Sequence, residues 1–328
     1  MIRQVITLQQ VCAIVVYLCA FFLPAKAAPL TFPPGAGMLF ANREYVLPVT
    51  ALTPVEMTWR WRYQHRTLTA GQIEIDGNNP VNLLLPKMEL NPGTVWETHL
   101  DFALQNRNGN VTTGSFPMAL CHDLPGPDFT AAIKNRSILV HDPDNRLASK
   151  LRDLPLPHKA VRFPSAAQQD DILIVVPSID VPASANLLEQ LAGSAARGVH
   201  VIWLAGGIGS WSISPETEAG KVLLQSNIEL LQAEQLRRYV KWLDLSLWRY
   251  DETPKWSFQP GRTGLRADIS TSAAGWVAAH WQFPGGGSLL FCGLDVINDW
   301  DENPGARYLL FSFLRDRSNL KNQGNPDE

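Results

Sequence analysis

The chain has 328 residues, 45% of them hydrophobic and 18% charged, with a formal net charge of −3. That balance excludes a disordered, collagen-like or coiled-coil chain, and it carries no global basic field for nucleic acid. The length predicts two globular domains behind a short targeting segment.

The first segment reads as an address. Arg3 supplies a positive start, Val11 to Leu23 is an apolar run of thirteen residues, and Ala25-Lys26-Ala27 is a small-x-small cleavage signal. A bilayer span takes about 20 residues. Residues 1–27 are therefore expected to be a signal peptide cleaved after Ala27, giving a secreted or periplasmic product with no stable membrane span. An uncleaved anchor is the alternative. Cys19 follows Tyr17-Leu18 rather than small residues, which argues against a lipid anchor. Cys12 and Cys19 leave with the leader, while Cys121 and Cys292 stay, each inside an apolar run. Two buried free thiols are favoured over a bridge, although export permits one. With no CxxC and no clustered Cys/His spacing, no structural zinc and no cofactor are expected.

Residues 28–123 alternate with the period of short strands. Predicted strands cover Tyr45–Val49, Met57–Tyr63, Gln72–Ile75, Val81–Leu85, Trp96–Leu104 and Ser115–Leu120. Turn chemistry separates them at Asn78-Asn79-Pro80, Asn91-Pro92-Gly93 and Asn106 to Asn110. About seven such strands predict an antiparallel β-sandwich of immunoglobulin-like type. The stripe Trp59, Trp61, Tyr63 is either a sugar-stacking platform or the core face of the sandwich. The core is preferred, because aromatic area drives sheet packing. Residues 124–135, opening Leu124-Pro125-Gly126-Pro127-Asp128, read as a linker.

From residue 136 to 317 the pattern becomes strand, helix, strand, helix, strand. Ser137–Asp142, Asp171–Pro177 and Val199–Leu204 are apolar runs of the kind buried on both sheet faces, with helices over Asn145–Asp153 and Ala183–Arg197. Gln232–Trp242 reads as a solvated amphipathic helix rather than a partner groove. Trp276–Phe283 and Ser288–Leu294 are strands around Gly285-Gly286-Gly287, and Asn303-Pro304 opens a last helix. Trp248, Trp256, Trp276, Trp281 and Trp300 enrich this half, some of them as candidates to line a pocket. Residues 318–328 are expected to be a disordered tail.

Asp171–Pro177, Gly198 to Gly207, and Gly286 to Asp295 with Asn303 to Leu310 carry a resemblance. Region 136–317 resembles the class I glutamine amidotransferase-like domain, in the degenerate form found in secreted bacterial proteins and appended to β-galactosidase-type glycoside hydrolases. The resemblance implies a flavodoxin-like parallel sheet and a carbohydrate-related context, in which a preceding β-sandwich is a common companion. Active members place a Cys at a tight strand-to-helix turn, with a late His-x-Glu. Here the turn is Trp203-Leu204-Ala205-Gly206-Gly207, and His280 is followed by Trp281-Gln282. A thiolate nucleophile is thus missing from the place the resemblance assigns it.

Two constellations remain as candidate ligand sites at the strand ends, where open α/β sheets bind. The loop Ala205 to Ser210, with Gly206 and Gly207, either cradles a phosphate or merely makes a tight turn; it lacks the P-loop Lys and Ser/Thr. Asp295, Asp299, Trp300, Asp301 and Glu302 either bind a hard cation, serve as an acid/base pair, or form a solvated loop that favours the next helix N-terminus. The turn and the solvated loop are preferred. His141-Asp142, at another strand end, is expected to be structural or exposed. The expected function is non-catalytic binding or assembly at the cell envelope, with a carbohydrate or an envelope protein as partner. A glycan hydrolase working through acids such as Asp299 and Asp301 is the alternative.

Overall fold

The computed structural model describes residues 30–77, 79–154, 156–178, 185–204, 211–212, 226–243, 256–261, 264–269 and 277–319. Residues 1–29, the Ala205–Ser210 loop, Trp248, Trp276 and most of the expected tail lie outside them.

Eight strands come first: β1 (Leu30–Thr31), β2 (Met38–Phe40), β3 (Tyr45–Ala51), β4 (Val55–Tyr63), β5 (Arg66–Ile75), β6 (Val81–Leu85), β7 (Val95–Asn106) and β8 (Val111–Cys121). They form a three-stranded sheet, β1-β3-β6, and a five-stranded sheet, β2-β8-β7-β4-β5. The two sheets share one core, in which Leu47, Val49, Leu83 and Leu85 meet Met57, Trp59, Trp61, Leu100 and Leu120. Along β4 the residues Met57, Trp59 and Trp61 are buried while Glu56, Thr58 and Arg60 face water, as a period of two requires. The aromatic stripe is therefore core through Trp59 and Trp61. The Trp61 indole N–H is satisfied inside it, donating to Thr98 Oγ1 at 3.0 Å, whose hydroxyl lies 3.3 Å from the Met118 carbonyl. Trp59 packs over Gly71, where a Cβ would stand 3.0 Å from the indole nitrogen. Tyr63 is half-buried and stacks on Trp96 at 4.3 Å. Strand β2 pairs parallel with the end of β8; three residues are too few to show an alternation in sequence.

The second core is built on a seven-stranded sheet. It contains β9 (Ile138–His141), β10 (Lys159–Ala160), β11 (Ile172–Val175), β12 (His200–Leu204), β14 (Asn227–Leu231), β17 (Ala278–Gln282) and β18 (Ser288–Cys292). Their order is β10-β9-β11-β12-β18-β17-β14. The first five run parallel, but β17 is antiparallel to β18 and β14 is antiparallel to β17, so the sheet is mixed where a parallel sheet was expected. The cause is local. The chain turns back within Phe283–Gly287, with Gly286 at φ +82, and strands joined by so short a turn must be antiparallel. The three glycines also let the turn pack tightly: a Cβ on Gly287 would stand 2.0 Å from the Ala195 carbonyl oxygen. The remaining strands β13 (Trp211–Ser212), β15 (Trp256–Gly261) and β16 (Gly264–Ile269) form a separate antiparallel sheet, β13-β16-β15.

Among the described residues, four α-helices accompany the sheets: α1 (Pro127–Ile133), α2 (Arg146–Leu151), α3 (Ala185–Ala196) and α4 (Pro304–Asn319). Ile172, Ile174, Ile202, Leu204, Leu290 and Cys292 point to one face, where α1, α2 and α4 pack. Leu173, Val175, Val201, Trp203, Leu289 and Phe291 point to the other, where α3 packs. Both faces are covered, which is why these strands are continuously apolar. The stretch read as a linker contains α1, with Pro127 in its first turn and Phe129 and Ile133 buried; Phe129 lies 5.1 Å from Phe311 of α4. The Pro-Gly-Pro composition that suggested a linker is instead a helix start. Gln232–Trp242 holds a 3-10 turn, Ala233–Arg238, closed by a reciprocal Gln232–Gln235 capping box, rather than an α-helix. Cys121 and Cys292 are both free and buried. Among the described residues no helix is long and apolar enough to cross a membrane.

The two cores meet at Arg307 of α4. Its guanidinium stacks over Phe40 of β2 at 4.6 Å and over Trp300 at 5.4 Å. Nε donates to the Trp300 carbonyl at 2.8 Å, Nη1 to the Asp123 carbonyl at 3.4 Å, and Nη2 to Asp301 Oδ1 at 3.3 Å. Arg43 lies on the same Phe40 ring, at 4.5 Å, and donates to the Asp301 carbonyl at 2.6 Å. Nearby, the Tyr308 hydroxyl donates to the His122 carbonyl at 3.0 Å. A guanidinium so enclosed is favourable only while its partners stay in place. We expect Arg307→Ala to lower unfolding stability in urea by about 2–4 kcal/mol. Arg307→Lys should recover only part of that, since an ammonium cannot reproduce the planar fork. An unchanged urea midpoint for the alanine variant would show that the contact contributes nothing.

Candidate functional site at the C-terminal edge of the sheet

The parallel strands bring their C-terminal ends to one edge. Registers place His141 beside Val175 and Leu204 beside Cys292, so the residues that follow these strands emerge together. This is the edge at which the sequence placed both of its candidate loops. Gly206 and Gly207 lie outside the described residues. Asp295, Asp299, Trp300 and Asp301 are described, and their environments differ sharply.

Trp300 is a core residue at 1% exposure, edge-on to Phe311 at 6.1 Å. It does not present a ring to solvent, where the sequence had placed it among the candidate ligand-site residues. Its place in the acidic run concealed it, because one buried residue in a short 3-10 turn (Asn298–Trp300) leaves no periodicity to read. Asp295 holds that turn, accepting from the Asn298 side-chain amide at 2.6 Å and from its backbone N–H at 3.3 Å. Asn298 Oδ1 in turn accepts from Arg146 of α2 at 3.1 Å. The Asp299 backbone extends the turn, its carbonyl accepting from Asn303 N–H at 2.8 Å. Asp301 is an ion-pair centre, with Lys150 of α2 at 2.6 Å on Oδ2 and Arg307 at 3.3 Å on Oδ1. These residues tie helix α2 to the start of α4. Among the described residues no group of three or more His, Cys, Asp or Glu side chains could hold a metal ion.

His141 and Asp142 sit at the end of β9. Helix α2 begins after Asn145, which is left-handed at φ 54 and caps nothing with its side chain. Asp142 does so from outside: Oδ2 accepts from Leu147 N–H at 2.7 Å and Ala148 N–H at 2.9 Å, an anion at a helix N-terminus. Its other oxygen, Oδ1, is buried and accepts no hydrogen bond among the described residues. His141 Nδ1 lies 3.3 Å from the Val161 carbonyl, which can only accept, so Nδ1 is the donor of that bond. Ser178, after β11, donates to Asp144 at 3.1 Å. Asp142 is thus engaged in holding the start of α2, and its second oxygen is closed off from solvent.

No family model matches the chain, and no curated protein matches it. Two solved structures show a weak likeness. One is a 2,6-sialyltransferase of a Photobacterium species, 10% identical, covering 54% of this chain and 35% of that one, with a TM-score of 0.18. The other is a carbohydrate acetylesterase from Xanthomonas citri, 9% identical, covering 80% of this chain and 96% of that one, with a TM-score of 0.20. Overlaps this low carry neither fold nor activity across.

The Lys150 ammonium, hydrogen-bonded to Asp301, is the main reason its carboxyl is held below the ordinary value of 3.8; Arg307 and Arg43 add to this, and partial burial opposes it. The folded chain thus binds this proton more weakly than the unfolded chain does. The resulting stabilisation is present above the ordinary value and is lost as pH falls through the lower, folded one. We expect Asp301→Asn to be less stable than wild type at about pH 6, with the gap closing towards about pH 2. Urea unfolding across that range measures it, and a gap that stays constant would contradict the assignment.

Proposed function

We propose that this chain is an exported, non-catalytic binding or assembly protein, carbohydrate-related and acting at the cell envelope. In this reading an immunoglobulin-like sandwich is followed by a flavodoxin-like, glutamine amidotransferase-like domain that has lost its nucleophile. The two sheets with one shared core, and the apolar parallel strands β11, β12 and β18 covered on both faces, support that reading.

The observation that carries the non-catalytic half is the state of the thiols. Nucleophilic cysteines work as thiolates in partly exposed, electropositive places. Burial pushes the Cys292 thiol up to about 12, and burial likewise pushes Cys121 well above its ordinary value. Where the resemblance puts a nucleophile, β12 ends in Leu204, which is buried. The leader motif before Ala28 supports export.

The test has two parts. Mass spectrometry of the exported product should find a mature chain beginning near Ala28. The purified protein should be retained on immobilised envelope glycans without releasing products, and the Cys121→Ser/Cys292→Ser double variant should be retained equally. Its cost should be confined to stability, about 1–3 kcal/mol for each newly buried hydroxyl. Product release that is lost in Cys292→Ser while the fold persists would return the protein to the enzymes. Absence of glycan retention would end the carbohydrate assignment.

A further inference from the structure

At the opposite end of the parallel strands, polar side chains interrupt the apolar face beneath α4. His200 pairs in register with Ser288, and His280 pairs with Leu290 on one side and Glu229 on the other. His200, Ser288 and His280 are buried, and Arg317, in the last turn of α4, has no exposed surface at all. Arg317 Nη1 donates to His280 Nε2 at 2.6 Å and lies 3.4 Å from Ser288 Oγ, which is 3.1 Å from His200 Nδ1.

Two features of this network point outward. The first is charge. A guanidinium does not give up its proton, so Arg317 is a buried cation. Its acidic neighbour Asp316 is half exposed and stands 3.6 Å away, too far for a hydrogen bond, and Nε and Nη2 make none among the described residues. The second is the histidine. A guanidinium only donates, so His280 Nε2 must accept and the ring is neutral, with its proton on Nδ1. Burial, together with the Arg317 charge, lowers its pKa to about 3 and keeps it neutral. Nδ1–H is therefore a fixed donor, polarised by the cation behind it.

His280 lines an open cleft of about 660 Å³, rimmed by Glu229, Arg238, Arg315 and Asp316. That volume suits a small molecule. Arg238 is already paired with Glu229. Counting Arg317 beneath the floor, the cleft gathers three cations against two acids, with the histidine neutral. One negative charge balances it. A dianion would exceed the balance and meet Glu229 and Asp316, and a cation would face Arg317.

We propose that this cleft binds a small organic monocarboxylate. One carboxylate oxygen accepts from His280 Nδ1–H, the Arg317 charge lies behind that bond, and Arg315 engages the ligand at the rim. The site lies at the other end of the sheet from the C-terminal edge and does not depend on the proposed glycan binding.

The test is a titration of the full chain, labelled with 15N-histidine, at constant ionic strength. The probes are acetate and glucuronate, with acetamide, glucose and inorganic phosphate as comparisons. The His280 Nδ1–H resonance should shift saturably with both carboxylates at a Kd of about 1 mM, and much less with the neutral molecules. Arg315→Gln, an exposed change that leaves the core intact, should weaken binding by about 3–10-fold. His280→Phe should abolish the line broadening of the carboxylate's own proton signals that the wild-type chain causes, with circular dichroism checking the fold. An unmoved resonance, equal shifts with acetamide or glucose, tighter binding of phosphate, or wild-type affinity in Arg315→Gln would each overturn the proposal.

Discussion

A guanidinium removed from water must keep every partner it has, and Arg307 applies that constraint where the two cores of this protein meet. Its planar face lies on Phe40, its edges bind carbonyls from both sides of the junction, and one nitrogen holds Asp301. The short strand β2 is fixed by this contact as much as by its pairing with β8. Helix α1 packs on the same helix through Phe129, so the segment between the cores is an ordered part of their junction rather than a tether. A charged residue is a demanding way to join two hydrophobic units, because every lost hydrogen bond leaves a buried charge uncompensated. It also fixes one relative orientation, where apolar contact alone would tolerate several.

The same node explains the acids that follow β18. Asp301 faces two cations because Arg307 and Lys150 converge on it from α4 and α2, and Asp295 reaches Arg146 of α2 through Asn298. Carboxylates engaged in this way hold a loop. Asp142 is likewise engaged, capping α2 with one oxygen while the other is buried. At the other end of the sheet the situation is reversed. There a buried cation is only partly matched, and a neutral histidine carries its influence to an open cleft. One sheet thus has its acids engaged at one end and a partly matched buried cation at the other.

Several features were legible in the sequence because a periodic pattern carries them. The alternation through Trp59, Trp61 and Tyr63 placed the first core, which takes Trp59 and Trp61 fully and Tyr63 in part. The unbroken runs Ile172–Val175 and His200–Leu204 announced strands covered on both faces. The apolar setting of Cys121 and Cys292 foretold buried thiols. Short elements were not legible: β2, β10 and the 3-10 turn at Asn298–Trp300 have too few residues for a period to show. The antiparallel hairpin was recognisable from Gly285-Gly286-Gly287, but its effect on the direction of the whole sheet was not.

The candidate site divides along the same line. By itself the sequence determined which residues are apolar and where turns fall, because those properties belong to single residues and their near neighbours. Only the tertiary structure decided that Trp300 is core, that Asp301 is neutralised, that Asp142 caps a helix, and that His280 meets Arg317. The one outward signal of the last pair was polar residues, His200, His280 and Ser288, inside otherwise apolar strands. What such residues do depends on what stands across from them, and Arg317 comes from a helix 37 residues further along the chain than His280. Charge and hydrogen bonding act over a few ångströms in space, and no local pattern records which distant side chain will occupy that space.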